Sequence, residues 1–564
     1  MKIVDDIKQA LARSLDTAGI RISADEVALE RPKGLSHGDY ATGAALQYSK
    51  QVGMQPVKLA EKIVAGLEKL NGVKSVEVVA PGFINFHLTP DAINSVLGEA
   101  IAHEEAWGKN DSQKGSRVMV EYTDPNPFKE FHIGHLMSNA IGESISRLVE
   151  YSGAEVKRTC YQGDVGLHVA KAIWNMRENE NASGVFIHSI GSTASSYTLG
   201  ARRYETDPEA KKEIDEINRE IYTKEDPAIN RLYDIGRKQS LEHFKEIYKT
   251  LGTKFDYSFF ESETAPFGKK VVEEHPEIFE ESDGAIVYKG DEKKGLHTRV
   301  FINSQGLPTY EAKELGLAKK KYDSYPYDKS IVITGNEVNE YFRVLLDAMS
   351  KIYPDLAAKT VHVSHGMMRL SSGKMSSRTG GVITGESLIG ELKEKASARA
   401  KESRAVDADI LAEQIAVSAV KYQILRQASG KDIIFDRERA LSLDGDSGPY
   451  LQYAHARAHA VVERAKSQGV TFLDSQGDTL EPNGVSRLVT RLPETVETAA
   501  NELEPHLLVN YLIALASAFN SWYAQVHILD GTKEAPHKVA IVDAVRATLR
   551  NGLWLLGISA PEKM

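Results

Sequence analysis

The chain has 564 residues, 42% hydrophobic and 26% charged, with a formal net charge of −10. That length exceeds what one hydrophobic core supports, so about three or four domains are expected, and the composition is that of a globular chain. Cys160 is the only cysteine, which excludes an internal disulfide and a zinc site built from thiolates. No secretory or membrane-length apolar run stands out, so a cytoplasmic protein without a membrane partner is expected.

Residues 1–110 read as a small α/β domain. Ile3, Ile7, Leu11 and Leu15 share one side of an amphipathic helix over 1–18, and a second helix is expected over 56–70. Val76–Val79 and the alternating run Phe83–Leu88 read as strands around Pro81-Gly82. The polar segment from Asn110 is a linker.

A sheet domain is expected over 115–385. Val118–Tyr122 is a buried strand, followed by a Pro-Asn-Pro loop. Then comes a helix with Ile141, Ile145, Leu148 and Val149 on one face, and a further strand over Val156–Tyr161. Strand, loop, helix and strand in that order make the βαβ unit of a Rossmann-like parallel sheet. Ligands bind beyond the carboxyl ends of such strands, which directs attention to the loop after Tyr122. The polar stretch at about 185–300 reads as an insertion, with strand signals returning at Arg299–Ile302 and Ser330–Thr334. Residues 386–564 read as an all-helical bundle. The segments 393–404 and 455–466 are locally basic, either solvated helix faces or a footprint for a polyanion.

The loop and early helix read Pro125-Asn126-Pro127-Phe128-Lys129-Glu130-Phe131-His132-Ile133-Gly134-His135. Histidines three apart share one side of a helical turn, and a helix N-terminus favours an anion. Gly134 lets a nucleotide approach the backbone, and imidazoles can donate to a phosphate whose charge rises in a transition state. Far downstream, Gly373-Lys374-Met375-Ser376-Ser377-Arg378 is a glycine-flanked cationic segment suited to triphosphate. Either segment alone also fits a solvated surface turn. Together they resemble the HIGH and KMSKS signatures of class I aminoacyl-tRNA synthetases.

Within that class the chain resembles the arginyl-tRNA synthetase family. The resemblance is carried by 121–127 (EYTDPNP), 445–457 (GDSGPYLQYAHAR) and the C-terminal 556–564. At the front, His37-Gly38-Asp39-Tyr40-Ala41-Thr42 and Pro81-Gly82-Phe83-Ile84-Asn85-Phe86 carry it too. The resemblance implies an arginine–tRNA ligase that uses ATP with Mg2+ on its phosphates and no zinc. Its partners would be L-arginine, ATP and tRNA(Arg), and it would act as a monomer that activates arginine only with tRNA bound. His132, Gly134 and His135 would bind ATP, and Lys374, Met375, Ser376, Ser377 and Arg378 would cover its phosphates; His132, His135 and Lys374 are the catalytic set. Glu121, Asp124, Asn126, His132, Tyr310 and Glu314 would hold arginine. The N-terminal domain, through Asn85, would touch the tRNA elbow, and Tyr453 and Arg457 in the helical domain would meet the anticodon region.

Three positions depart from the family. Glu314 stands for an aspartate, Val338 for a glutamine and Asp124 for a serine. Tyr310 and Glu314 lie four apart, on one helical face, and a guanidinium requires a carboxylate in bidentate reach. Two readings of Glu314 stand at this point: the arginine-binding acid, or a surface glutamate paired with Lys313 or Lys319. Asp124 suits either the guanidinium or the α-amino group. A sister synthetase, a nucleotidylyltransferase and a non-catalytic tRNA-binding relative are the competing functional readings. The accessory domains and the intact signature residues weigh against all three.

Overall fold

The computed structural model describes residues 2–32, 34–183, 190–371, 384–403, 405–470 and 481–564. At the front, helix Lys2–Thr17 buries Ile7, Leu11 and Leu15 completely. Each such side chain contributes roughly 1.5–3 kcal/mol by leaving water. They cover a sheet of β1 (Tyr40–Thr42), β2 (Val73–Val79) and β3 (Phe83–Leu88) in the order β1-β3-β2, antiparallel throughout. Strand β1 is not legible in the sequence, being only three residues long.

The second sheet contains five parallel strands: β4 (Arg117–Glu121), β5 (Glu155–Gln162), β6 (Tyr257–Phe260), β10 (Lys329–Gly335) and β11 (Thr360–His365), in the order β11-β10-β4-β5-β6. The chain leaves β4 towards β5 on one side and returns through β10 on the other. The crevice between the ends of β4 and β10 is therefore the topological switch point, where open α/β sheets bind ligands.

Between β5 and β6 lie four helices, Leu167–Ser183, Ile190–Thr206, Pro208–Thr223 and Pro227–Leu251. Strand β6 falls inside the stretch read as insertion yet belongs to the main sheet. Conversely, Arg299–Ile302 does not return to that sheet. It is β9 of a separate antiparallel sheet with β7 (Glu280–Ser282) and β8 (Ala285–Tyr288). Periodicity finds a strand but cannot assign it to a sheet.

The C-terminal region is helical, built around Gly385–Glu402, Ala408–Leu425, Gly448–Ser467, His506–Gln525 and Ala535–Leu555. Among the described residues one short strand interrupts it, β13 (Ile433–Phe435), paired in parallel with β12 (Met368–Leu370). Contrary to the expectation from sequence, helix His506–Gln525 is long and apolar enough to cross a membrane by composition, with mean hydropathy 1.2. In the fold its Leu508, Leu512, Leu515 and Phe519 are fully buried in the core of the bundle.

Salt links fasten the first domain to the helical one. Arg31 pairs with Glu494 at 2.7 Å and lies over the Tyr40 ring, whose hydroxyl donates to the same carboxylate at 2.5 Å. Arg487 pairs with Asp39, which also accepts the Leu88 amide at 2.8 Å. Trp107, near the end of the first domain, donates to Thr548 at 3.0 Å.

Candidate active site

The loop between β4 and the signature helix Ile133–Tyr151 is held in an unusual shape. Thr123, Asp124 and Phe128 all have positive φ, at 82°, 45° and 68°. Left-handed backbone at non-glycine residues persists only where the surroundings over-determine it. Here the Thr123 amide donates to Ser138 Oγ, the Phe128 amide to Ser240 Oγ, and Asp124 Oδ1 accepts the Tyr161 amide at 2.7 Å. The last insertion helix takes part directly. A Cβ at its Gly236 would lie 2.2 Å from the Phe128 ring, so only glycine admits that ring.

His132 is the N-cap of the signature helix, and its Nδ1 accepts the Gly134 amide at 3.1 Å. His135 Nδ1 accepts the His132 amide at 3.3 Å, and the two rings stack at 3.6 Å. Both rings cap free amides, as serine and glutamate do in ordinary helices. A nitrogen that accepts from an amide is unprotonated, so each ring carries its hydrogen on Nε2. Burial and then Lys129 lower the His132 pKa, while burial and then His132 push that of His135 well down. The pair is therefore neutral at pH 7 and offers N–H donors without carrying charge. A Cβ at Gly134 would press on the His132 ring at 2.9 Å.

A cavity of about 560 Å³ opens at the switch point beside this pair and is lined by Glu121, Asp124, Asn126, Glu314, Val338 and His365, among others. All six residues expected to hold arginine thus line one cavity. Glu121, at the end of β4, is 2% exposed and its carboxylate is bound by Lys321 at 2.8 Å. Asn126 packs against Gly163, where a Cβ would come within 2.3 Å of its Oδ1. Tyr310 stands at the rim with 58% of its surface exposed. One turn further on, Glu314 lines the cavity itself. The surface reading of Glu314 fails, because Lys313 is taken by buried Glu261 at 2.7 Å and Lys319 pairs with Asp323. Burial and then Glu121 raise the Glu314 carboxyl well above the usual carboxylate range, and the same two causes raise Asp124.

Several contributors are not singled out by the sequence. Lys321 follows Glu314 by seven residues, two helical turns on the same face, so spacing could have found it. His365, at the end of β11, is a third imidazole on the cavity wall, and nothing local in the sequence marks it. Lys374, Met375, Ser376, Ser377 and Arg378 lie outside the described residues. The chain re-enters at Thr384, which bridges to His132, while the Gly385 amide donates to the Phe131 carbonyl at 2.7 Å.

The residues expected to meet RNA divide. Asn85 is only 4% exposed and lies on β3 between Ala41 of β1 and Glu77 of β2, so its side chain is not presented at the surface; on that strand Phe83 is exposed instead. Arg457 lies over the rings of Tyr453 at 4.6 Å and Tyr523 at 5.1 Å and donates to Asn520. Aromatic rings and a guanidinium plane stacked in this way suit unstacked nucleobases.

The chain matches the family model described as "Arginyl tRNA synthetase N terminal domain" over residues 2–88. "tRNA synthetases class I (R), catalytic domain" matches over 96–437, and "DALR anticodon binding domain" over 451–564. It is 31% identical to an arginine–tRNA ligase of Lactobacillus delbrueckii over 99% of this chain and 100% of that one. A second such relative, from Streptococcus agalactiae, is 30% identical over 100% of this chain and 98% of that one. Among solved structures, the fold superposes on an arginyl-tRNA synthetase of Thermus thermophilus with a TM-score of 0.76 at 24% identity, covering 99% of both chains. That of Plasmodium falciparum gives 0.79 at 20%, covering 100% of this chain and 99% of that one. With the catalytic-domain match spanning more than half its length, the chain belongs to the arginyl-tRNA synthetase family of class I aminoacyl-tRNA synthetases.

Proposed function

We propose that the chain is an arginine–tRNA ligase, which joins arginine to ATP as arginyl-adenylate and passes it to the 3′ end of tRNA(Arg). The observation that carries this reading is the single cavity in which surplus carboxylates face a pair of neutral imidazoles. The carboxylates suit the cationic ends of arginine, and the Nε2–H groups of His132 and His135 suit the α-phosphate. In the first step the arginine carboxylate oxygen bonds to the α-phosphorus and pyrophosphate leaves. In the second, the terminal ribose hydroxyl attacks the activated carbonyl, its proton goes to solvent or phosphate, and AMP leaves. Positioning and fixed dipoles supply the rate, with no covalent enzyme intermediate.

Among the described residues no group of three carboxylate, imidazole or thiol side chains is placed to hold a metal. Mg2+ would enter on the ATP phosphates, the usual habit of this ion. The Tyr453–Arg457–Tyr523 stack supports anticodon contact, and the links from Arg31 and Asp39 to the helical domain support one continuous RNA-binding face. The test is charging of total tRNA with each amino acid in turn. Charging by arginine alone is expected, and charging by another amino acid instead overturns the reading. Pyrophosphate exchange is expected to be negligible until cognate tRNA is added; robust exchange by the protein alone would show that activation here is independent of RNA.

A further inference from the structure

The charges around the cavity do not balance. Its carboxylates come from four places: Glu121 and Asp124 from β4 and the loop after it, Glu261 from the start of helix Glu261–Glu273, Glu311 and Glu314 from helix Tyr310–Ser324, and Glu337 from the turn after β10. Of the lysines nearby, Lys321 is committed to Glu121 and Lys313 to Glu261, while Lys129 stands beside the histidines and Glu261. Arg299 also lines the cavity and makes no ion pair to Asp124 or Glu314 among the described residues. Besides Glu121 and Lys321, which act on both acids, the groups that face them are Glu261, the Cys160 thiol, Tyr161 on β5, Tyr248 on helix Pro227–Leu251 and Tyr341 on helix Asn339–Ile352, none of them cationic. Among the described residues, Asp124 and Glu314 therefore share one wall without an ion pair of their own, the Lys321 ammonium that acts on both being held by Glu121. Like charges held together away from bulk water cannot both ionise freely.

Arginine brings two cations, the guanidinium and the α-ammonium, while its carboxylate is directed to phosphate. Two positive ends match two surplus carboxylates. Resting on the arginine–tRNA ligase reading above, we propose that Asp124 and Glu314 form a proton-holding acid pair that becomes fully ionised only when arginine enters, so that capture of arginine expels a proton. The carboxyl O–H bond breaks, the proton passes to solvent buffer, and the carboxylate pairs with the incoming cation. Asp124 is thereby a specificity residue alongside Glu314. A substrate with a single cationic end, such as citrulline, leaves one of the two acids protonated and is rejected. Because the empty site holds the extra proton, affinity for arginine rises with pH up to the pKa of the empty pair and is level above it.

The experiment is calorimetric titration of the full-length chain with L-arginine at pH 7, in phosphate and in Tris, whose ionisation heats differ widely. The parent protein is expected to release about one proton per arginine bound. Asp124→Asn and Glu314→Gln are each expected to release less than half as much, and citrulline none. Arginine binding to the parent with no net proton release overturns the inference while leaving the ligase reading intact. So does a proton count unchanged in both variants. The parent measurement needs no substitution, so a variant that fails to fold does not obscure the answer. Absence of any arginine binding, with or without tRNA, is a different outcome and overturns the ligase reading itself.

Discussion

The interface between the first domain and the helical domain and the cavity at the switch point are both partly buried and rich in charge, but they are built in opposite ways. At the interface the acids are paired, Glu494 with Arg31 and Asp39 with Arg487, and it is a cation, Arg491, that is in excess beside them among the described residues. In the cavity Glu121 is matched by Lys321, whereas Asp124 and Glu314 are left over. Balanced buried charge fixes geometry, because each member strands its partner if it moves. Unbalanced buried charge destabilises the empty protein and stores affinity for whatever supplies the missing sign.

The largest expected effect follows from removing stored charge. Glu314→Gln keeps the shape and leaves the guanidinium buried without its counter-ion. It is expected to raise the Michaelis constant for arginine by a factor corresponding to about 2–5 kcal/mol, with that for ATP little changed. A rise of less than about fivefold, roughly 1 kcal/mol, would return Glu314 to the structural residues and leave Asp124 and Glu121 as the acids of the site.

Removing balanced charge is expected to act elsewhere. Arg31→Ala leaves Glu494 and the Tyr40 hydroxyl without their cation at a half-buried position. A loss of about 2–3 kcal/mol is expected in the first urea transition, below the cost of breaking a fully buried pair. Arginine and ATP constants are expected to stay at parental values. If arginine binding weakened together with stability, the two regions would be one coupled unit and the contrast would fall.

What is legible in the sequence follows the same division. The signature helix and its histidines can be named because local spacing specifies a strand, a loop and a helix start, whereas Asn126 is named only by the family resemblance. Glu314 can be singled out because Tyr310 lies one turn before it. The burial of Asn85, on β3 between β1 and β2, is not readable from sequence, because a strand residue's surroundings depend on its neighbours and β1 is too short to recognise. The pairing of Lys321 with Glu121 joins residues 200 apart, and that of Arg31 with Glu494 joins residues 463 apart. Separations of that size carry no periodic signal, so the presence of the acids is readable and their balance is not.

Within the cavity the contrast extends from wall to rim. Tyr310 is expected from sequence to contact the guanidinium, yet it is more than half exposed and stands at the mouth. Tyr310→Ala is expected to raise the Michaelis constant for arginine by about tenfold, some 1.4 kcal/mol, through lost packing at the entrance. A loss as large as that of Glu314→Gln would mean that the rim closes fully over bound substrate and that the two positions act as one.

The smallest expected effect is also the sharpest, because its sign reverses with ligand. In the empty protein the Glu314 carboxyl is held above its ordinary value by burial and by Glu121. The folded chain therefore binds more protons than the unfolded chain once pH exceeds the unfolded value, near 4.3. Stability contributed at this position falls as pH rises from there, and levels off above the folded pKa. Glutamine has no proton to lose, so Glu314→Gln removes that slope. The ligand-free variant is expected to match the parent near pH 5 and to exceed it in stability at pH 8. Saturating arginine is expected to invert the order, since only the parent gains the stabilisation of a tightly held ligand. Thermal melts at both pH values, with and without arginine, read all four states. A variant less stable than the parent in the empty state at pH 8 would mean that Glu314 already has a cationic partner there, which is incompatible with a surplus of carboxylates in the cavity.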